Sequence, residues 1–158
     1  MPGNGVLQMT GQMGDVMKES AQIALTYVRS VASDYGVKEN YFEKHDIHLH
    51  TPEGAVPKDG PSAGITMATA MLSAVTGRKV LPRVAMTGEV TLRGHVLMIG
   101  GLKEKLLAAR MAQVEKVLVP AKNQPDVEEL SKEITKGMEI VYIKEMNEVI
   151  REAFVPEK

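Results

Sequence analysis

The segment from Ser62 to Thr76, SAGITMATAMLSAVT, contains no charged residue. A helix that is uncharged around its whole circumference has no face suited to water, so it must be surrounded by other parts of the protein. The segment therefore predicts a helix at the centre of a domain, ended by Gly77. The chain is 158 residues long and 44% hydrophobic. That length suits one compact domain, and that composition excludes intrinsic disorder.

The rest of the chain alternates short strands with helices. Apolar residues recur at steps of three and four from Met17 to Tyr35, which predicts an amphipathic helix with Asp15 as its N-cap and Gly36 as its end. Further helices are predicted at 102–113, 125–132 and 146–154, strands at 5–12, 46–50, 83–86, 116–119 and 138–143, and a hairpin from 89–93 and 95–99. This order predicts an α/β or α+β fold in a single domain.

The composition excludes several classes of protein. The chain has no cysteine, which removes disulfide frameworks, iron–sulfur sites and thiol catalysis. The formal net charge of −1 argues against a domain whose main task is binding nucleic-acid phosphates. No run approaches the roughly 18 to 20 apolar residues that span a bilayer, and the N-terminus lacks the features of a secretory signal. We therefore expect a soluble intracellular protein.

Ser62 is placed where a hydroxyl can act as a nucleophile. The residues before it, PKDGP at 57–61, form a rigid loop that delivers it to the start of the uncharged helix. Unpaired N–H groups and the positive end of the helix dipole lie there, and both stabilise a developing oxyanion. The alternative is that Ser62 only caps the helix. A phosphate loop is disfavoured, because no G-x-x-x-x-G-K-[ST] run occurs and Asp59 would repel phosphate.

A nucleophilic serine needs a base, and the predicted helix at 102–113 offers two lysines. At about 100° per residue, Lys105 shares a face with Leu102 and Leu106, whereas Lys103 falls on another face. A buried lysine loses part of its preference for the charged form and can then accept a proton. The alternative is that Lys105 extends its ammonium group to solvent. The spacing by itself leaves the choice of base open.

Three motifs carry a resemblance to a known family. They are PKDGPSAG at 57–64, TGEVTLRG at 87–94 and GGLKEK at 100–105. Together, and in this order, they resemble the proteolytic domain of Lon, the ATP-dependent protease, in its A-type bacterial and mitochondrial branch. The likeness runs from Gly5 to about Phe154. One departure is Met98, where the family pattern has proline.

The resemblance implies a serine endopeptidase with a Ser-Lys dyad. Carried over onto this sequence, the nucleophile is Ser62 and the general base is Lys105. Thr87 matches the family threonine that hydrogen-bonds the lysine and orients it. The resemblance also implies an α/β domain with the second-domain topology of ribosomal protein S5. That domain would cover residues 1–158, with residues 1–4 as linker residues.

The resemblance further implies the partners of the protein. In the family, an ATPase module of the AAA+ class precedes this domain, unfolds substrates and threads them into a hexameric ring. No Walker sequence occurs in this chain, so ATP and magnesium are expected only in that module and the domain itself needs no cofactor. The expected substrates are unfolded or damaged polypeptides. The expected location is the bacterial cytoplasm or the mitochondrial matrix, with no binding to membranes or nucleic acid.

The histidines offer two other kinds of site. His48 and His50 lie two residues apart on a predicted strand, so they share one face. They would form half of a zinc site, with Glu53 or Asp59 as a third ligand. A triad of Ser62, His50 and Asp59 is the second alternative, since that chemistry needs a base within reach of the serine. The resemblance makes both histidines site-proximal rather than catalytic, with no metal bound.

Two carboxylates are candidates for regulating the base. Asp59 precedes Ser62 by three residues, and Glu89 follows Thr87 by two. A carboxylate next to Lys105 would keep its amine protonated and unable to act as a base. This predicts an inactive state that substrate or ring assembly releases. The alternative for Asp59 is a structural role in the Asp-Gly-Pro turn.

A non-catalytic function is the last alternative, because the same fold class also serves RNA-binding and ATP-binding proteins. An α/β interaction module would need neither Ser62 nor Lys105. Near-neutral charge and only 4% aromatic residues disfavour the binding of single-stranded nucleic acid. The occurrence of both residues within their motifs favours an enzyme.

Overall fold

The computed structural model describes residues 1–52 and 60–157 of the chain. Strands and helices alternate along it. The strands are β1 (Leu7–Thr10), β2 (Ile47–His50), β3 (Val84–Met86), β4 (Glu89–Val90), β5 (Val96–Leu97), β6 (Lys116–Pro120) and β7 (Glu139–Ile143). The helices are α1 (Asp15–Val31), α2 (Tyr41–Lys44), α3 (Gly64–Thr76), α4 (Leu102–Met111), α5 (Gln124–Glu128), α6 (Lys132–Thr135) and α7 (Met146–Ala153), and 3-10 helices follow α1 (Ala32–Tyr35) and β6 (Ala121–Asn123). The predicted α/β class is confirmed, and the S5-like topology stays a prediction.

The described strands form three small sheets. β1 and β2 pair in parallel, with Thr10 opposite His50. β3, β6 and β7 form a parallel sheet in which β6 is the middle strand. From Val117 to Pro120, β6 is continuously buried, as expected for a strand flanked on both edges and both faces. β4 and β5 pair in the antiparallel hairpin that the sequence predicts.

α3 packs in the main core, as its uncharged sequence predicts, but it is not surrounded on all sides, because Thr66, Ala70 and Ala74 on one face are exposed. Ile65 and Leu72 on this helix are at most 1% exposed. α1 packs along α3 and contributes Ala24 and Val28, which are fully buried. Gly77 takes a left-handed conformation, with φ of 73°, and ends the helix. Among the helices described here, none is both long and apolar enough to cross a bilayer.

A second apolar cluster packs α4 against the three-stranded sheet. It joins Leu102, Leu106 and Ala109 of α4 to Val117 and Val119 of β6. The helix face assigned from the periodicity is therefore the buried one. Because β6 is fixed on both sides by its neighbouring strands, α4 rests on the most constrained strand of the sheet.

Two predicted helix boundaries are wrong for local reasons. Gly14, not Asp15, occupies the N-cap of α1. The helix predicted over 125–132 ends early, at Glu128, and a separate helix, α6, begins at Lys132. The Ser131 hydroxyl accepts a hydrogen bond from the Glu133 amide at 3.3 Å and so begins a new helix.

Residues 1–4 lie against the segment that precedes β2. Pro2 forms a β-bridge with His45. The Asp46 carboxylate accepts hydrogen bonds of 2.8 Å from the amides of Asn4 and Val6. These bonds hold the pKa of Asp46 below its usual value. The first residues are thus attached to the strand pair β1–β2 in this structure.

Candidate active site

Ser62 lies in a turn two residues before α3 begins. Its carbonyl oxygen accepts a hydrogen bond of 2.8 Å from the Gly88 amide and a longer one of 3.4 Å from the Thr87 hydroxyl. The Ser62 carbonyl therefore bonds to residues outside the helix. The first helical hydrogen bond of α3 instead runs from the Met67 amide to the Ala63 carbonyl. The helix start predicted at Ser62 is two residues too early. Ala63 occupies the N-cap position, so the Ser62 hydroxyl is not needed as a cap.

The Ser62 hydroxyl lies against Lys105 of α4. Lys105 Nζ donates a hydrogen bond to Ser62 Oγ over 2.6 Å. The same nitrogen donates to Thr87 Oγ1 over 3.2 Å. Thr87 is only 6% exposed, so its hydroxyl has little access to water. The fold thus brings a serine, a lysine and a threonine from three separate motifs into one connected group.

Thr87 and Gly88 connect the sheet to the start of α3. Thr87 follows β3, and its amide donates a hydrogen bond of 3.1 Å to the carbonyl of Leu118 in β6. Gly88 donates to the Ser62 carbonyl, and its own carbonyl accepts from the Ile65 amide at 3.2 Å. These backbone bonds hold Ser62 and Thr87 at a set separation, independently of their side chains.

The two lysines of α4 have different surroundings. Lys105 is partly buried and Lys103 is exposed, which agrees with the face predicted for each. Burial lowers the pKa of the Lys105 ammonium below the ordinary lysine value, because a charged amine loses solvation there. Within the part of the chain that the structure describes, burial is the cause of this shift. The surroundings therefore make it easier for this amine to lose a proton than for an ordinary lysine.

The backbone amides at the start of α3 are partly engaged. Gly64 N donates to the Pro61 carbonyl at 3.1 Å, and Ile65 N donates to the Gly88 carbonyl at 3.2 Å. An N–H that already donates to a carbonyl is not available to an oxyanion in the same conformation. The expectation that helix amides stabilise an oxyanion therefore does not hold for these two residues.

His48 and His50 lie on the same face of β2, as predicted, and both are exposed. His48 Nε2 and His50 Nδ1 are each 2.8 Å from Thr10 Oγ1 of β1. The hydrogen bonds described for these histidines thus go to Thr10 and not to Ser62. In the described part of the chain, no group of three His, Cys, Asp or Glu side chains is placed to hold a metal ion.

The carboxylates proposed to regulate Lys105 are only partly described. Asp59 lies outside the described residues, and so does Glu53, the other candidate zinc ligand. Glu89 begins β4 and pairs with Leu97 of β5. Among residues 1–52 and 60–157, no hydrogen bond or ion pair joins Glu89 to Lys105. Regulation of the base by Asp59 or Glu89 stays a prediction.

Asn123 is a buried polar residue that the sequence motifs do not contain and that binds the segment leading into α4. It closes the 3-10 helix after β6, is 0% exposed, and hydrogen-bonds the backbone of Ile99 just before α4. Its local sequence, AKNQPD at 121–126, has the composition of an ordinary turn. No periodicity or motif marks it, because the backbone that it binds at Ile99 is 24 residues away in the chain.

The sequence matches one family along nearly its whole length. The sequence model for the Lon protease (S16) C-terminal proteolytic domain matches residues 1–156. Lon protease from Lachnoclostridium phytofermentans is 64% identical over 155 residues, which are 98% of this chain and 19% of that protein. Lon protease 1 from Bacillus subtilis is 53% identical over 157 residues, 99% of this chain and 20% of that protein. The chain thus spans about one fifth of the length of these relatives, and it belongs to the family of Lon protease (S16) C-terminal proteolytic domains.

Proposed function

We propose that this domain is a serine peptidase in which Ser62 attacks a peptide carbonyl and Lys105 takes the serine proton. The observation that supports this most directly is the 2.6 Å separation of Lys105 Nζ and Ser62 Oγ. A nucleophile and its base must lie within hydrogen-bond reach, and this pair does. Partial burial of the amine supplies the second requirement, a base that loses its proton more readily than an ordinary lysine.

The roles of the three side chains follow from their donors and acceptors. An ammonium has three donors and no acceptor, so Lys105 must first lose a proton before it can act as a base. Its lone pair then faces Ser62 Oγ, and the hydrogen bond runs from the hydroxyl to the amine. One remaining N–H is directed to Thr87 Oγ1, whose own proton points to the Ser62 carbonyl. Thr87 is thus a positioning residue for the amine.

The proton is used twice in the proposed reaction. Ser62 Oγ bonds to the carbonyl carbon while its proton passes to Lys105 Nζ, which gives a tetrahedral intermediate and an ammonium. The ammonium then protonates the departing amine as the C–N bond breaks, leaving an acyl-enzyme and a neutral Lys105. Water then attacks the ester carbonyl while Lys105 Nζ takes one of its protons; the acyl C–O bond to Ser62 breaks, and the ammonium returns the proton to Ser62 Oγ, which releases the product acid.

The pH dependence of cleavage tests the protonation state of the base. Because Lys105 acts only when neutral, kcat/KM should rise by about tenfold per pH unit below the pKa of the amine and then level off. Burial lowers that pKa, so the plateau should begin at a lower pH than for an ordinary lysine. The measurement is a pH profile with a fluorogenic peptide. A midpoint near about 6.5, the ordinary histidine value, would favour the His50 alternative.

We also propose that the domain cleaves flexible polypeptides and leaves stable proteins intact. Unfolding a stable substrate requires about 5 to 15 kcal/mol, and this chain has no phosphate-binding loop through which nucleotide hydrolysis could supply it. The test is to incubate the domain with a flexible peptide and with a stably folded protein, each with and without ATP. Cleavage of the peptide alone, unaffected by ATP and absent in Ser62→Ala, is the expected result. Degradation of the folded protein that depends on ATP would contradict the proposal.

The proposed chemistry needs no metal or cofactor in this domain. Peptide cleavage should therefore persist in EDTA at an unchanged rate, because neither Ser62 nor Lys105 requires a Lewis acid for the steps above. The assay is the same peptide hydrolysis after dialysis against the chelator. Loss of activity that zinc restores, and that His48→Ala removes, would favour the zinc alternative.

The longer protein and its assembly are proposals that rest on the family. We propose that an ATPase module in the full-length protein delivers unfolded polypeptides to Ser62, that six copies form a ring, and that the protein acts in the bacterial cytoplasm. Apolar side chains exposed on and near α4 favour association: Met98 is 55% exposed, Leu107 38% and Met111 85%. Association would remove this surface from water.

A further inference from the structure

Ile99 is a buried residue whose backbone lies outside every described strand. β5 ends at Leu97, α4 begins at Leu102, and Ile99 between them is 8% exposed. A buried N–H or C=O without a partner costs free energy comparable to a lost hydrogen bond. The segment that leads into α4 therefore needs a hydrogen-bonding partner that no strand provides.

Asn123 provides both bonds with one side chain. Its Oδ1 accepts from Ile99 N at 2.9 Å, and its Nδ2 donates to Ile99 O at 2.8 Å. The amide thus pairs with Ile99 as a residue in a neighbouring strand would. Asn123 is itself 0% exposed, so water does not compete for these bonds. We name this pair of bonds the Asn123 clamp.

A third contact reinforces the orientation of the Asn123 amide that Ile99 requires. Nδ2 also donates to Asp126 Oδ2 at 2.8 Å, so both of its protons are used. Rotating the amide by half a turn would place its oxygen against the carboxylate of Asp126 and the carbonyl of Ile99. Asp126 therefore stabilises the same orientation that the backbone of Ile99 requires.

The Asn123 clamp lies close to the base along the chain. From Ile99 the chain passes Gly100 and Gly101, and the Gly101 carbonyl accepts the Lys105 amide at 3.3 Å in the first turn of α4. Gly101 has φ of 68°, a left-handed conformation that sets the direction in which the helix leaves. A shift in the backbone of Ile99 would thus also change the position of Lys105, because only the turn at Gly100 and Gly101 and the first turn of α4 separate them.

β6, the strand that precedes Asn123, also supports Ser62 and Thr87. Asn123 follows β6, and the carbonyl of Leu118 in that strand accepts the Thr87 amide. Thr87 and its neighbour Gly88 bond in turn to the Ser62 carbonyl. β6 is therefore the common support of Ser62 and Thr87 on one side and, through the Asn123 clamp, of Lys105 on the other.

We propose that Asn123 is a positioning residue for the base: by clamping both backbone groups of Ile99, it sets where α4 begins and so holds Lys105 Nζ within reach of Ser62 Oγ. The role is indirect, because Asn123 acts through Ile99 and α4. The expected effect of Asn123 on peptide cleavage rests on the proposed function, in which Lys105 is the base. Its effect on the surroundings of the Lys105 amine does not depend on that function.

The first test is Asn123→Asp, which keeps the size of the side chain but replaces the Nδ2 donor with an oxygen. That oxygen would face the Ile99 carbonyl and the Asp126 carboxylate, so the clamp should open. We expect kcat for peptide cleavage to fall at least about tenfold while KM changes less than about twofold, because a displacement of about 1 Å at the reacting groups is enough for such a loss. In protein labelled with 13C at lysine Cε, the NMR titration midpoint of Lys105 should move up toward the ordinary lysine value.

A second pair of variants covers the case in which Asn123→Asp does not fold. Asp126→Ala removes the carboxylate that orients the amide, and Glu129→Ala removes a neighbouring carboxylate. Both residues line the same cavity of about 610 Å³ beside the start of α4. We expect Asp126→Ala to lower kcat and raise the Lys105 midpoint, and Glu129→Ala to do neither. Equal effects of the two would mean that charge, not the clamp, matters, and would overturn the proposal.

The readouts separate this proposal from the proposed function. The NMR signal of Lys105 is identified as the one that is absent from Lys105→Met. Its titration midpoint reports on the surroundings of the amine whether or not the domain cleaves peptide. If Lys105→Met still cleaved peptide, the dyad would be wrong, and a raised midpoint in Asn123→Asp would still support the clamp. If Asn123→Asp lowered the melting temperature but left the Lys105 midpoint and kcat unchanged, Asn123 would have only a structural role and the proposal would fall.

Discussion

Replacing Lys105 with methionine should reduce kcat for peptide cleavage by at least about 10³-fold, because the serine then has no base. Methionine keeps an unbranched side chain of similar length, so the packing of α4 is disturbed little. Lys103→Met is the matched control, since it makes the same change two residues earlier on the exposed side of the same helix. It should keep most of the activity.

Lys105→Arg separates the role of base from that of positive charge. Arginine keeps the charge and the donors, but its guanidinium stays protonated and cannot accept the serine proton. We expect Lys105→Arg to be as inactive as Lys105→Met and as Ser62→Ala. Each variant should show an unchanged circular dichroism spectrum, so that loss of folding is excluded. Activity in Lys105→Met together with its loss in Lys103→Met would reverse the assignment of the base.

Leu106→Ala should lower the free energy of unfolding by about 2 to 5 kcal/mol, because it leaves a cavity beneath α4. Leu106 is 0% exposed and packs in the cluster with Val117 and Val119 of β6. Leu107→Ala is the matched control: the next residue is 38% exposed, so the same substitution should cost less than about 1 kcal/mol.

Urea unfolding measured by circular dichroism distinguishes these two variants. Both should keep the wild-type m-value, with a clearly lower midpoint for Leu106→Ala alone. Because α4 carries Lys105, Leu106→Ala should also lose part of its peptidase activity below its unfolding midpoint. Equal destabilisation by Leu106→Ala and Leu107→Ala would mean that α4 does not pack on the sheet by the face described here.

The two faces of α4 could be predicted from the sequence because periodicity is a local property. A helix turns by a constant angle per residue, so the position of Lys105 next to Leu102 and Leu106 follows from spacing alone. The same spacing separates Lys103 from that face. What the spacing leaves open is which group the buried amine meets, because that group lies on another element.

The start of α3 shows how a distant contact changes a local prediction. The lack of charge from Ser62 to Thr76 indicates a buried helix, and α3 does pack in the core, although one face of it is exposed. The first helical residue is nevertheless Gly64, because the Ser62 carbonyl bonds to Gly88 and Thr87. Those partners come from the segment after β3, so no window of sequence around Ser62 contains the information.

By itself, the sequence determined that α3 packs in the core, the end of α3 at Gly77, the β4–β5 hairpin and the family through its motifs, because these depend on neighbouring residues. Gly36 ends a helical segment as predicted, but that segment is the 3-10 helix Ala32–Tyr35, since α1 itself ends at Val31. Only the tertiary structure decided that Lys105 meets Ser62 across 43 positions of the chain and that Asn123 binds Ile99 across 24. Such pairs form when separate elements pack on β6 and bury polar groups that must then find partners. Their identities depend on the packing of the whole domain and not on local propensity.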